Sequence, residues 1–241
     1  FTKQRICGKM SIAKKWKWWV TMENRIERDG EVDSWKEAML DYNSALKQIE
    51  TKLNILNDEF QHIHRYNPIE HIKARIKTPE SIVKKLRRYG LEFTLDNMEK
   101  AVNDIAGVRI TCSFTSDIFR LADMIRDQKD IKVLSTKDYI TTPKPSGYRS
   151  YHMIVSVPVY FSDRIKDVKV EIQIRTVAMD FWASLEHKIN YKFEGNAPQR
   201  IKEELIECSE MIADLDAKML SLNEEILEIE AQQKAAKAAR K

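Results

Sequence analysis

The chain has 241 residues, 43% hydrophobic and 32% charged, with a formal net charge of +4. These values describe a helix-rich globular protein and exclude a disordered one; the mild positive charge suits anionic ligands without itself arguing for nucleic acid. Cys7, Cys112 and Cys208 are far apart and odd in number, which argues against a disulfide framework or a Cys/His zinc site and points to a reducing cytoplasm. No run reaches the roughly 20 apolar residues of a membrane span, so no membrane partner is expected.

Residues 1–30 read as a leader. Lys3, Arg5, Lys9, Lys14, Lys15 and Lys17 come with no acid before Met22 and run into Trp16, Trp18 and Trp19. Lysines interrupt what would be the apolar stretch of a signal peptide. A surface-binding segment is compatible, but Met22 is a plausible start, and the leader is expected to be disordered or non-native. From Trp35 a helical seam follows through Met39, Tyr42, Leu46, Ile49, Leu53, Leu56, Phe60 and Ile63. Its steps of four and three sustain a heptad pattern. Ser34 is the expected N-cap, and Asn67-Pro68 ends the run.

The next helix is announced by Thr78 as N-cap and Pro79 at its first position, with Gly90 as its stop. Ser81, Lys85 and Arg88 share one face, and Arg75 and Lys77 precede the N-terminus. Two readings fit: a basic surface helix, or a polyphosphate site built on free N–H groups and cations. Residues 103–114 read as a strand with Val108, Ile110, Cys112 and Phe114 on its core face. Arg109, Thr111 and Ser113 are on its polar face, and Asp104 stands at its entrance. Residues 116–129 form an amphipathic helix, and 131–140 a further strand.

Residues 141–152 form a polar loop held by Pro143, Pro145 and Gly147. It sets Lys144, Arg149 and His152 around Tyr148, an arrangement suited to a stacked nucleobase with neutralised phosphates. Residues 153–159 follow as a strand, with Ile154 and Val155 expected inside. Residues 170–176 alternate strictly, Val170, Ile172 and Ile174 against Glu171, Gln173 and Arg175, the period of a strand with one core face. Arg175 is read as bracing the strand and is kept out of the site. Residues 178–193 form a helix with Phe181, Trp182, Leu185 and Ile189 expected buried. Asp180 in its first turn is either favoured by the helix dipole or placed to accept both N1–H and N2–H of a guanine. A second heptad seam runs through Ile201, Leu205, Cys208, Ile212, Leu215, Met219, Leu222, Ile226 and Ile229. The two seams either pair within the chain or build an oligomer. Residues 231–241 read as a disordered tail.

Two carboxylates, Asp104 and Glu171, thus lie between two cationic regions. That layout suits a transferase acting on two nucleotides, with acids holding Mg²⁺ between them. At these residues the chain resembles the small alarmone synthetases, stand-alone relatives of the synthetase domain in RelA/SpoT enzymes. The resemblance rests on Arg75-Ile76-Lys77 with Ser81, and on residues 104–110 (Asp104 to Ile110). It rests equally on Ser146 to His152 and on Val170 to Thr176 followed by Ala178 to Trp182. It covers residues 35–222 and is nearest the RelP type, by Asn67 to His71 and Thr142 to Pro145.

The resemblance implies transfer of pyrophosphate from ATP to the ribose 3′-hydroxyl of GDP or GTP, giving (p)ppGpp and AMP. It implies that Asp104 and Glu171 hold Mg²⁺, with Glu171 activating the hydroxyl. Arg75, Lys77, Ser81, Lys85, Arg88 and Arg109 would contact ATP. Lys137, Lys144, Tyr148, His152, Gln173 and Asp180 would hold GDP or GTP, with Tyr148 stacking on guanine. The implied fold is α/β, a mixed sheet of about five strands flanked by helices and similar to nucleotidyltransferases. Long N- and C-terminal helices would make a homotetramer, and residues 31–230 would form one domain. His71, Lys73 and Ala74 depart from the Phe-x-Thr-Gly segment through which RelQ-type members bind product, so product activation is not expected. With no His-Asp metal dyad, neither is hydrolase activity. The competing readings are a related transferase with another acceptor and an RNA-binding regulator; RNA is not the expected partner.

Overall fold

The computed structural model describes residues 29–64, 66–193 and 196–238. The leader, except for its last two residues, lies outside that range, as does Cys7. In chain order the elements are α1 (Asp29–His62), β1 (Ile69–Ile76), α2 (Pro79–Arg88), α3 (Leu95–Ala101), β2 (Ala106–Cys112), α4 (Thr115–Arg126), β3 (Lys132–Asp138), β4 (Tyr151–Tyr160), β5 (Ile165–Thr176), α5 (Val177–Lys192) and α6 (Gln199–Ala238). The strands form one mixed sheet in the order β1-β2-β5-β4-β3. β2 and β5 run parallel, and the other neighbours are antiparallel. The expected α/β class and five-stranded mixed sheet flanked by helices are what the chain forms.

Alternation makes the sheet two-faced. Val108, Ile110 and Cys112 of β2, Met153, Val155 and Val157 of β4, and Val170, Ile172 and Ile174 of β5 are all buried. The seam of α1 lies in the same core, with Trp35, Met39, Tyr42, Leu46, Ile49, Leu53 and Phe60 buried, and so do Ile118, Leu121 and Ile125 of α4. Burial of one such side chain is worth about 1.5–3 kcal/mol, which makes this layer the main source of stability. The first heptad seam therefore serves the sheet and not a partner helix. The second seam behaves differently. On α6, Leu215, Met219, Leu222, Ile226 and Ile229 are all exposed.

Several expectations are corrected. α1 is already helical at Asp29, so Ser34 is not its cap; no proline stands between the two positions to block the earlier start. β1 was not anticipated. Its Ile72, Ala74 and Ile76 alternate with Lys73 and Arg75, but an edge strand needs few strong apolar residues. α3 was also unannounced. Ile154 points opposite to Val155, as a period of two requires; Val155 is fully buried while Ile154 is only half-buried. Phe181 and Leu185 are 60% and 39% exposed, because α5 packs through Met179, Trp182 and Ala183 instead. α6 continues to Ala238 through most of the expected tail, since Ala, Gln and Lys are good helix formers. Among the described residues no helix is long and apolar enough to cross a membrane.

Candidate active site

The second face of the sheet carries polar side chains in register. One cross-strand row reads Lys73, Arg109, Gln173, His152 and Lys137 across all five strands. The next reads Arg75, Gly107, Glu171 and Ile154. Four gaps between strands span about 19 Å at roughly 4.8 Å each, room for two nucleotides side by side. Gly107 leaves the floor open between Arg75 and Glu171. A Cβ there would meet nothing nearer than the Glu171 carbonyl oxygen at 4.0 Å, so packing does not demand glycine at this point. Lys73, Arg75, Asp104, Arg109, Glu171 and Gln173 all line the resulting cleft.

On the β1 side, α2 brings the cations in. Thr78 caps the helix by accepting from the Ser81 N–H, and Pro79 opens it. Gly90, at φ 70°, closes it, with the Gly90 N–H on the Arg87 carbonyl and the Leu91 N–H on the Leu86 carbonyl, a Schellman end. So anchored, Lys85 Nζ donates to Asp104 Oδ1 at 2.8 Å, and Lys77 Nζ donates to Oδ2 at 2.7 Å. Burial would raise the Asp104 carboxyl, but the hydrogen bonds and charges of the two lysines outweigh it and hold it below the usual carboxylate range. Ser81 and Arg88 stand on the exposed face of α2, outside the cleft lining. Ser81 accepts from the Thr78 hydroxyl, and Arg88 lies over the Tyr89 ring.

On the β4 side a chain of hydrogen bonds ends on Glu171. Arg175 Nη2 donates to the Tyr148 hydroxyl, which bonds His152 Nε2 at 2.8 Å. His152 Nδ1 lies 3.2 Å from Glu171 Oε1, and Gln173 Nε2 donates to Oε2 at 2.8 Å. An ionised carboxylate only accepts, so Nδ1 carries a proton, and in the neutral ring Nε2 then accepts from Tyr148. Burial raises the Glu171 carboxyl, but His152 and Gln173 more than offset it, leaving it below its ordinary value. Glu171 is thus an oriented anion able to take a proton. Lys144 Nζ sits 4.6 Å from the ring centres of both Tyr139 and Tyr148, and burial followed by the nearby Lys137 charge lowers its pKa.

The structure brings Asp180 to the same region, with its Oδ1 held by Arg109 Nη1 at 3.0 Å and Arg175 Nη1 at 3.1 Å. Arg109, on the middle row, so ties the β2 side to the acid of α5. Sequence reasoning left out Arg175, which is 3% exposed and bonds Tyr148, Gln173, Asp180 and Ser150. Its alternation with Glu171 and Gln173 was the available signal. Tyr139 was also missed; its ring meets those of Tyr148 and His152 edge-on.

The donor set fits Mg²⁺ in the way that ion is commonly held, by one or two carboxylates with waters and substrate phosphates completing the shell. Asp104 and Glu171 are hard oxygen donors lining one cleft. The two lysine bonds leave lone pairs on Asp104 free, as a carboxylate has about four acceptor sites. Among the described residues no cluster of three or more His, Cys, Asp or Glu is placed to hold a metal.

The profile of the region found in RelA / SpoT proteins matches residues 74–196, the stretch carrying every site residue named above except Lys73. The GTP pyrophosphokinase YwaC of Bacillus subtilis is 49% identical over 195 residues, covering 81% of this chain and 93% of its own. The chain belongs to the RelA/SpoT family. Within it, the chain sits among the small alarmone synthetases. The GTP pyrophosphokinase YjbM of Bacillus subtilis is 39% identical over 82% of this chain and 92% of its own. The crystal structure of small alarmone synthetase 2 from Bacillus subtilis superposes with a TM-score of 0.73 at 47% identity, covering 79% of this chain and 98% of that one. Small alarmone synthetase 1 from the same organism, bound to its product pppGpp, gives 0.75 at 38% identity over 80% and 98%.

Proposed function

We propose that the protein is a GTP pyrophosphokinase that transfers the β,γ-pyrophosphate of ATP to the ribose 3′-hydroxyl of GDP or GTP. The observation that carries this reading is the layout of the polar sheet face: two ionised carboxylates in one cleft, with separate cation groups towards opposite edges. Small alarmone synthetase 1 from Bacillus subtilis, to which the chain is similar, has been solved both with its product pppGpp and with AMPCPP. Arg75, Lys77, Ser81, Lys85, Arg88 and Arg109 contact ATP. Lys137, Lys144, Tyr148, His152, Gln173 and Asp180 hold the acceptor, with Tyr148 under the base and Asp180 on its edge. Glu171 takes the proton of the 3′-hydroxyl as its oxygen attacks the β-phosphorus. The bond between that phosphorus and the α–β bridging oxygen breaks, and AMP leaves. Asp104 and Glu171 would hold Mg²⁺, which would supply charge neutralisation on the phosphates.

The reading includes a homotetramer, supported by the apolar stripe of Met211, Leu215, Met219, Leu222 and Ile226 that α6 leaves exposed; a monomer mass by light scattering at micromolar concentration would contradict it. The activity is tested by offering ATP with GDP, GTP, ADP or a short RNA as acceptor. Product with the guanine nucleotides, abolished in Glu171→Gln, is the expected result. Transfer to ADP or RNA in preference would move the assignment to another acceptor class.

A further inference from the structure

We propose that Ser209 and Asp216 of α6 are positioning residues for the acceptor nucleotide, fixing from behind both the loop that carries Tyr148 and the helix turn that carries Asp180. The proposal rests on the reading that Tyr148 and Asp180 face the acceptor; neither α6 residue touches the cleft itself.

Three ties join α6 to the acceptor side. Ser209, 3% exposed, donates its hydroxyl hydrogen bond to the Gly147 carbonyl. The approach is so close that a Cβ on Gly147 would stand 2.9 Å from Ser209 Cβ and 3.4 Å from Ile206 Cα. Gly147 also has φ 87°, so the loop needs glycine here for backbone conformation and for space. Its N–H bonds the Lys144 carbonyl at 2.8 Å, and the Lys144 N–H bonds the Tyr148 carbonyl at 3.1 Å. Holding Gly147 therefore holds the turn that presents Lys144 and Tyr148.

The second tie acts on α5. The Thr176 hydroxyl donates to Asp216 Oδ2 at 2.6 Å and accepts from the Met179 N–H at 3.1 Å. Thr176 is thus the N-cap of α5, oriented by Asp216, and Asp180 lies in the turn it caps. Third, the Trp182 indole N–H donates to the Leu205 carbonyl at 2.8 Å. Leu205, Ser209 and Asp216, separated by four and seven residues, fall on one face of α6. One helix face consequently sets the relative position of a stacking ring and a hydrogen-bonding carboxylate, the two groups that must match a single base.

The test uses the full chain with Ser209→Ala, Asp216→Ala and Asp216→Asn, comparing KM for GDP, KM for ATP and kcat. Loss of one oriented buried hydrogen bond is expected to raise the GDP KM about five- to tenfold in the two alanine variants. KM for ATP should stay within about twofold in Ser209→Ala and rise less than KM for GDP in Asp216→Ala, where the Asp180 that Thr176 positions also pairs with Arg109, and kcat should stay within about twofold in both. Asp216→Asn should restore most of the loss, because the amide oxygen still accepts from Thr176. Hydrogen exchange gives a readout free of turnover: in Ser209→Ala the amides of residues 139–148 should exchange faster, with β2 and β5 unchanged. Folded alanine variants with parental GDP KM and parental loop exchange would overturn the proposal, as would parallel rises in both KM values. Should Asp216→Ala not fold, Ser209→Ala decides alone. If the parent transfers pyrophosphate to no acceptor, the functional reading fails, while loop exchange in Ser209→Ala still decides whether α6 fixes the loop.

Discussion

Truncating Arg175 to alanine tests how the acceptor side is held together. The guanidinium bonds Ser150, Gln173 and Tyr148 and pairs with Asp180, whose side chain is 16% exposed against 4% for Arg175. Removing one partner of a buried ion pair typically costs about 3–5 kcal/mol, because the other charge is left without compensation. Arg109 still holds Asp180 Oδ1, which places the expected loss at the lower end, about 3 kcal/mol. For a chain of this size that corresponds to a fall in melting temperature of about 6–12 °C. Arg175→Lys should recover little, since one ammonium cannot reproduce the planar fork that reaches four partners. Thermal unfolding followed by tryptophan fluorescence at one fixed protein concentration measures the loss, and the GDP KM measures its effect on the site. An Arg175→Ala variant that melts within about 2 °C of the parent, under 1 kcal/mol on the same scale, and keeps its GDP KM would refute the reasoning.

The two depressed carboxyls fix a pH dependence. The folded values of Asp104 and Glu171 lie below the ordinary ones, so their stabilising contribution is present above about pH 4 and is lost as the pH falls through the folded values. Asp104→Asn should therefore lose stability relative to the parent at neutral pH, with the gap narrowing on acidification below about pH 4; a gap constant from pH 7 to 3 would contradict the assigned lysine pairing. Tyr148→Phe keeps the ring but loses the hydroxyl between Arg175 and His152, so it should weaken GDP binding less than Tyr148→Ala does. Calorimetric titration with GDP measures both, and equal losses would place the role of Tyr148 in its hydroxyl and not in its ring.

Much of this was legible from residue order. Strict alternation at Val170 to Thr176 put Glu171 and Gln173 on one face, and the structure sets them on the polar sheet face opposite Val170 and Ile172. Thr78, Pro79 and Gly90 act as cap, first residue and stop because those roles depend on local backbone chemistry alone. Long-range matters were less visible. The α1 seam announced a buried stripe, but spacing alone cannot distinguish a sheet from a second helix as the surface that buries it. β1 was hidden because its apolar face of Ile72, Ala74 and Ile76 is broken by a short alanine and set between charged residues, and an edge strand tolerates that. Phe181 and Leu185 were assigned to the core on hydrophobicity, whereas the Thr176 cap turns α5 so that Met179 and Trp182 point inward. Ser209 and Asp216 matter through contacts 62 and 40 residues away in sequence, and no local pattern signals those.

The most direct test follows the phosphates. ATP labelled at its β-phosphate is incubated with GDP, Mg²⁺ and the protein, and the nucleotides are separated by anion exchange. The account predicts label in a guanine nucleotide with a 3′-pyrophosphate, matched mole for mole by unlabelled AMP, and none with Glu171→Gln. Label retained in ADP or released as inorganic pyrophosphate, with no labelled guanine nucleotide, would contradict it.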